Sequence, residues 1–199
     1  MDWQTRFEEM GAFWRHSGGL APHVKTSMSG KHVDAYFNSD VILSSPELTE
    51  EIIESVLIPE LQKTDIRPDW VVGYAPYSIP VAQMAARVLA AKFGYSRPDL
   101  DFDISFIVRP GDTALVVADD MYGGGATLGT IVKLESMGVE VVPIVFCLAN
   151  LSGKEKLDDR TIIAASSLKA TRYKPDTCAL CKNGSEALVA RDEWSRLQS

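Results

Sequence analysis

Apolar and polar positions fall into segments of two different periods along the chain. Residues 70–73, Trp-Val-Val-Gly, and residues 113–118 are short unbroken apolar runs, which predict buried strands, the second of them central. The Ala-rich stretch 79–93 predicts a helix closed by Gly94. Ser45-Pro46 predicts a helix start, after which Leu48, Ile52, Ile53, Val56 and Leu57 share one face and Pro59 is expected to kink or end the helix. Residues 1–14 read as a helix broken by Gly18, Gly19 and Pro22, and residues 26–38 as strand and turn. A strand over 103–108, a turn at Pro110, Gly111 and Asp112, and a helix over 128–137 burying Leu128, Ile131, Val132 and Leu134 follow. The strand predicted over 139–148 contains Pro143, awkward in a sheet. The order β-α-β-β-α-β predicts an α/β fold, a mainly parallel sheet flanked by helices, with ligands beyond the carboxyl ends of the strands.

At 199 residues, 46% hydrophobic and without internal repeats, the chain is expected to fold as a single domain, 1–199. The 20 Lys and Arg against 27 Asp and Glu give a net charge of -7, which argues against nucleic acid or a membrane surface as partner. No apolar run reaches the length of a bilayer span, and residues 1–14 are unlike a signal peptide, so a cytoplasmic protein is expected. Cys147, Cys178 and Cys181 form no disulfide framework. Cys178 and Cys181 make a CxxC pair, which is half of a tetrahedral metal site. A second pair of ligands would have to come from His16, His23, His32, Cys147 or another subunit, so the pair reads as a turn or packing motif ahead of a metal site.

The densest chemistry lies at the end of the apolar strand. Asp119 and Asp120 follow it, and Gly123, Gly124 and Gly125 then open a helix. Glycines let backbone N–H groups approach an anion, the helix N-terminus adds partial positive charge, and Thr127 offers a hydroxyl. Adjacent carboxylates suit a vicinal diol, and either suits Mg2+ directly or through water. The other reading of these residues is a polar turn whose acids cap the helix. The spacing is neither a Walker loop nor GxGxxG.

Four apolar residues, two acids, two further residues and a small-residue triplet resemble the phosphoribosyl diphosphate (PRPP) motif of type I phosphoribosyltransferases, in which Thr-Thr-Gly stands where this chain has Gly123, Gly124 and Gly125. The likeness extends over nearly the whole chain and is closest to the orotate branch, through SGKHVDAYFN at 29–38, GYAPYSIPVA at 73–82, VRPGDTALVVADD at 108–120 and YKPDTCALCKNGSEAL at 173–188. The resemblance implies the type I phosphoribosyltransferase fold with a small hood subdomain, residues 1–45 and 166–199 contributing hood and peripheral elements. It implies transfer of ribose 5-phosphate between PRPP and a nucleobase or nucleotide, with Mg2+, in a homodimer. It assigns the 5-phosphate to Gly123, Gly124, Gly125, Ala126 and Thr127, and the ribose hydroxyls and Mg2+ to Asp119 and Asp120. It assigns the diphosphate to Ala75, Pro76, Tyr77 and Ser78, and the base to Lys31, Tyr36 and Phe37.

Three features depart from the family pattern. The mobile cationic loop expected between Phe93 and Pro110 is replaced by a short stretch, acidic at Asp99, Asp101 and Asp103, with only Arg97 and Arg109 as cations. Met28 and Asn150 stand where basic residues normally face orotate. Losing two cations argues against a carboxylate-bearing base. The reading is therefore a phosphoribosyltransferase-like enzyme with orotate itself in question. The alternatives are a catalytically silent PRPP or nucleotide-binding regulator, and a hydrolase or phosphorylase of nucleotide N-glycosidic bonds.

Overall fold

The computed structural model describes residues 2–198. Its first helix is shorter than the sequence pattern predicts. α1, Trp3–Glu9, is capped by the Asp2 carboxylate and ends before Gly11, whose φ of +72° suits no other residue type well. The chain then runs as β1, Phe13–Arg15, not as more helix. β2, His23–Lys25, β3, His32–Val33, and β4, Ala35–Phe37, occupy the expected strand-and-turn region. α2, Ser39–Leu43, leads to α3, Pro46–Ile52, whose N-terminus is capped by the Ser45 hydroxyl. Pro59 does not end this helix. A wide π turn at Ile53–Leu57 precedes it, and Pro59 falls in the first turn of α4, Ile58–Thr64, where its missing N–H costs little.

The main sheet begins with β5, Trp70–Tyr74, buried along its whole length. α5, Ile79–Leu89, stops earlier than predicted, because Ala90 turns left-handed at φ +52°. Phe93 and Gly94 belong to β6, Lys92–Arg97, and the ring of Phe106 fills the space a side chain at Gly94 would need. Of the strand expected over 103–108, only β7, Asp103–Ile104, pairs. β8, Thr113–Met121, is central and runs beyond the apolar stretch to include both acids. α6, Gly125–Ser136, buries Thr127, Thr130, Ile131 and Leu134, whereas Leu128 and Val132 face solvent at 37% and 57% exposure. β9, Glu140–Asn150, absorbs Pro143 in an irregularity, since its pairing with β8 jumps from Val141 to Val145.

β10, Lys156–Leu157, and β11, Arg160–Ser167, complete the sheet, in the order β10-β11-β9-β8-β5-β6-β7. Its five inner strands are parallel, and β10 and β7 are antiparallel edges. Alternate residues of β8 face opposite layers. Leu115 and Val117 pack with Val81 and Ala82 of α5, and Val116 and Ala118 pack with Ile131 and Leu134 of α6. The tail forms β12, Arg172–Tyr173, α7, Ala179–Lys182, β13, Ala187–Val189, and α8, Ala190–Leu197. A second sheet, β12-β3-β2-β13, joins this tail to N-terminal strands. No helix among the described residues is long and apolar enough to cross a membrane.

Candidate functional site

A cleft of about 270 Å³ opens where β8 ends and α6 begins. Gly123, Gly124, Gly125, Ala126 and Thr127 all line it. Gly124 caps α6 at φ +73° with no side-chain bond, so the first-turn amide donors of α6 are left for a ligand. The left-handed angle alone favours glycine there, and Leu157 fills the space a Cβ would take.

The two acids differ in environment because strand alternation turns them apart. Asp119 is 2% exposed, and its carboxylate accepts from Ser78 Oγ at 3.0 Å, Ser39 Oγ at 3.0 Å and Tyr74 Oη at 3.4 Å. Asp120 lines the cleft, and its carboxylate has no hydrogen-bond partner among the described residues. Burial, and next the Asp119 charge, push its pKa well above the usual carboxylate range, and Arg191 partly offsets them. An acceptor open to the cleft beside a row of amide donors suits a ligand that brings hydroxyls to one and an anion to the other.

Two arginines reach the cleft from the tail. The guanidinium of Arg172 lies against the backbone of Gly123, where a Cβ would collide with it. Arg191 donates to both Asp40 oxygens at 2.8 Å, stands 3.5 Å from Asp119 and stacks 3.9 Å above the ring of Tyr77. Its pKa is raised: burial lowers it, but Tyr36, Asp40 and Asp119 together outweigh that. Sequence reasoning missed both, because nothing local shows that β12 and β13 pair with β3 and β2.

No family model matches the sequence. The orotate phosphoribosyltransferase of Desulforamulus reducens is 28% identical over 187 residues, 92% of this chain and 95% of that protein. That of Thermotoga petrophila is 30% identical over 161 residues, 78% of this chain and 83% of that protein. The chain belongs to the type I phosphoribosyltransferase family. In fold it is similar to the crystal structure of orotate phosphoribosyltransferase from Aeropyrum pernix, with a TM-score of 0.63 at 20% identity over 83% of this chain and 93% of the other.

The structure brings together only part of the site that the family pattern marks out. Tyr36 lines the cleft, held by Tyr122 at 6.4 Å and Trp194 at 5.8 Å between ring centroids. Phe37 lies in the core against Phe7 and Phe13, and Lys31 is outside the cleft lining. Of 75–78, Tyr77 lines the cleft, whereas the Ser78 side chain is spent on Asp119 and Ala75 and Pro76 lie outside the lining. Asn150 is 5% exposed and ties its own loop, donating to Lys154 O and accepting from Ser152. Met28 lines the cleft at 49% exposure.

The family pattern implies Mg2+ as the partner of PRPP. Mg2+ prefers one or two carboxylates, water and substrate oxygens, and the unpartnered Asp120 fits that role. Asp119, with its oxygens already occupied by hydroxyls, fits as a support for the cleft wall, not as a direct ligand.

Proposed function

We propose that this chain transfers the ribose 5-phosphate group of PRPP to a nucleobase, as part of nucleotide metabolism. A base nitrogen bonds to C1 of the ribose as the C1–O bond to diphosphate breaks, the diphosphate leaves, and the base proton passes to solvent. The observation that carries this reading is the unpartnered Asp120 carboxylate beside the open N-terminus of α6. The amides of Gly125, Ala126 and Thr127 hold the 5-phosphate, with the Arg172 guanidinium adjoining at Gly123. Asp120 accepts from the ribose hydroxyls, and Asp119 fixes Ser39, Ser78 and Arg191 around it. Mg2+, held at Asp120, would neutralise charge on the diphosphate. Tyr77 and the Arg191 stacked on it line the cleft, and Arg191, on exchanging Asp40 for the diphosphate, would supply part of the charge that the family's cationic loop carries.

The acceptor base lies against Tyr36 and Met28. The relatives are named for orotate, but here Asn150 is turned into its own loop and Met28 is apolar, which supports a base lacking a carboxylate. The protein acts as a homodimer in a cytoplasmic setting, the latter supported by three cysteines none of which is in a disulfide.

A second reading, a PRPP-binding regulator without turnover, is favoured by the ion pairs that hold the nearby cations in the ligand-free protein, Arg97 with Asp103 at 2.6 Å and Arg191 with Asp40 at 2.8 Å. The test is incubation with PRPP, Mg2+ and a panel of nucleobases, followed by mass spectrometry. Nucleotide and diphosphate in equal amounts support the transferase, with orotate a poor acceptor. PRPP binding without product from any base would leave the regulator.

A further inference from the structure

We propose that His23, His32, Cys178 and Cys181 bind a structural zinc ion that fastens the C-terminal tail to the N-terminal hood strands. The CxxC spacing alone favoured a turn over a metal site, with His16, His23, His32 or Cys147 among the possible partners. The fold argues for metal, because β2 and β3 bring two of those histidines to the pair. One ligand atom from each of the four residues lies within 4.8 Å of all the others. His16 takes no part, since its ring bonds Ala21 O and Gly18 N, and Cys147 is buried in β9.

The spacing is that of a tetrahedral site. Zn–S bonds of about 2.3 Å and Zn–N bonds of about 2.05 Å require ligand-to-ligand edges of about 3.3–3.8 Å. The Sγ of Cys181 stands 3.5 Å from His23 Nε2 and 3.3 Å from His32 Nδ1, and the Sγ of Cys178 stands 3.6 Å from His23 Nε2. The His23 Nε2 to His32 Nδ1 separation, 2.9 Å, is shorter than a tetrahedron needs, so metal binding requires these two rings to part, and the two remaining pairs lie within 4.8 Å. Two thiolates with two imidazoles select zinc over Mg2+, whose ligands are oxygens. His23, Cys178 and His32 are 0%, 1% and 6% exposed and Cys181 lies at the surface, and four protein ligands fill a tetrahedral ion with no position left for substrate, which makes the site structural, not catalytic.

The hydrogen bonding behind His23 is also that of a metal ligand. Ser185 Oγ donates its proton to Ala21 O at 2.5 Å, so it faces His23 Nδ1, 2.8 Å away, as an acceptor. The His23 proton is thereby held on Nδ1, and the Nε2 lone pair points at His32 and both sulfurs. Binding replaces the two thiol protons, which pass to solvent, and leaves a neutral Zn(S)2(N)2 unit.

Arg172 precedes the two cysteines and Arg191 follows them, so a metal at this point fixes the tail from which both cations reach the cleft. That consequence rests on the proposed function; the metal site does not.

The full chain, produced with zinc and then stripped and titrated with Co2+, tests the proposal without any substitution. One metal per chain by elemental analysis and the visible spectrum of tetrahedral, thiolate-bound cobalt are expected. Cys181→Ser should roughly halve the thiolate band, and the Cys178→Ser, Cys181→Ser double variant should lose it. Ser185→Ala, which keeps all four ligands, should weaken zinc about 10–100-fold in competition with a chelator. A folded chain that takes up neither zinc nor cobalt would overturn the proposal, as would a Cys178–Cys181 disulfide in zinc-replete, reducing buffer. An unchanged cobalt spectrum in the Cys178→Ser, Cys181→Ser double variant would do the same.

Discussion

The guanidinium of Arg172 occupies the space that a side chain at Gly123 would need. The family pattern has a threonine at this position. On the proposed reading, a charged donor from the tail stands in its place, and a charged donor is the stronger partner for a phosphate.

Gly123→Thr restores the family residue, yet it is expected to weaken PRPP binding because the new Cβ meets Arg172. Arg172→Ala alone should cost about tenfold or more in affinity, the scale of one hydrogen bond to a charged group. In the double variant the two losses should not add, since the threonine then has room. Calorimetric titration of the four proteins with PRPP and Mg2+ gives the coupling directly.

Asp120→Asn is expected to stabilise the ligand-free protein. A carboxylate whose pKa is raised on folding contributes nothing below its unfolded pKa and destabilises increasingly as pH rises toward the folded value. Removing that charge should add about 1 kcal/mol at neutral pH, a rise in Tm of about 2–4 °C, and the gain should vanish in acid. Thermal melts of both proteins across pH check it.

Ser78→Ala should act in the opposite direction. It removes a donor 3.0 Å from the buried Asp119 carboxylate and leaves that oxygen with only the longer Tyr74 contact. A loss of about 1–3 kcal/mol in denaturant unfolding is expected.

What the sequence made legible followed from local pattern. The unbroken apolar run at 113–118 marked the central strand, and the acids and glycines after it marked the cleft. Boundaries set by tertiary contacts were not legible. Ala90 ends α5 in a left-handed turn with no glycine to announce it, and Gly94 is a strand residue covered by Phe106. The face of α6 was misjudged because Thr130, not Val132, is drawn inward to Ser96, 2.6 Å away. Phe37 carried an aromatic signal that served the core, against Phe7 and Phe13. Arg172, Arg191 and the pairing of Cys178 and Cys181 with His23 and His32 depend on strands joined across nearly the whole chain, which no short motif encodes.

The most direct test of the cleft is calorimetric titration of PRPP with Mg2+ into the unmodified protein and into Asp120→Asn. Saturable binding of one PRPP per chain that the substitution weakens by at least about tenfold, on the scale of a hydrogen bond to a charged group, is the result expected. Equal affinity in the two proteins would contradict the assignment of Asp120 to the ribose.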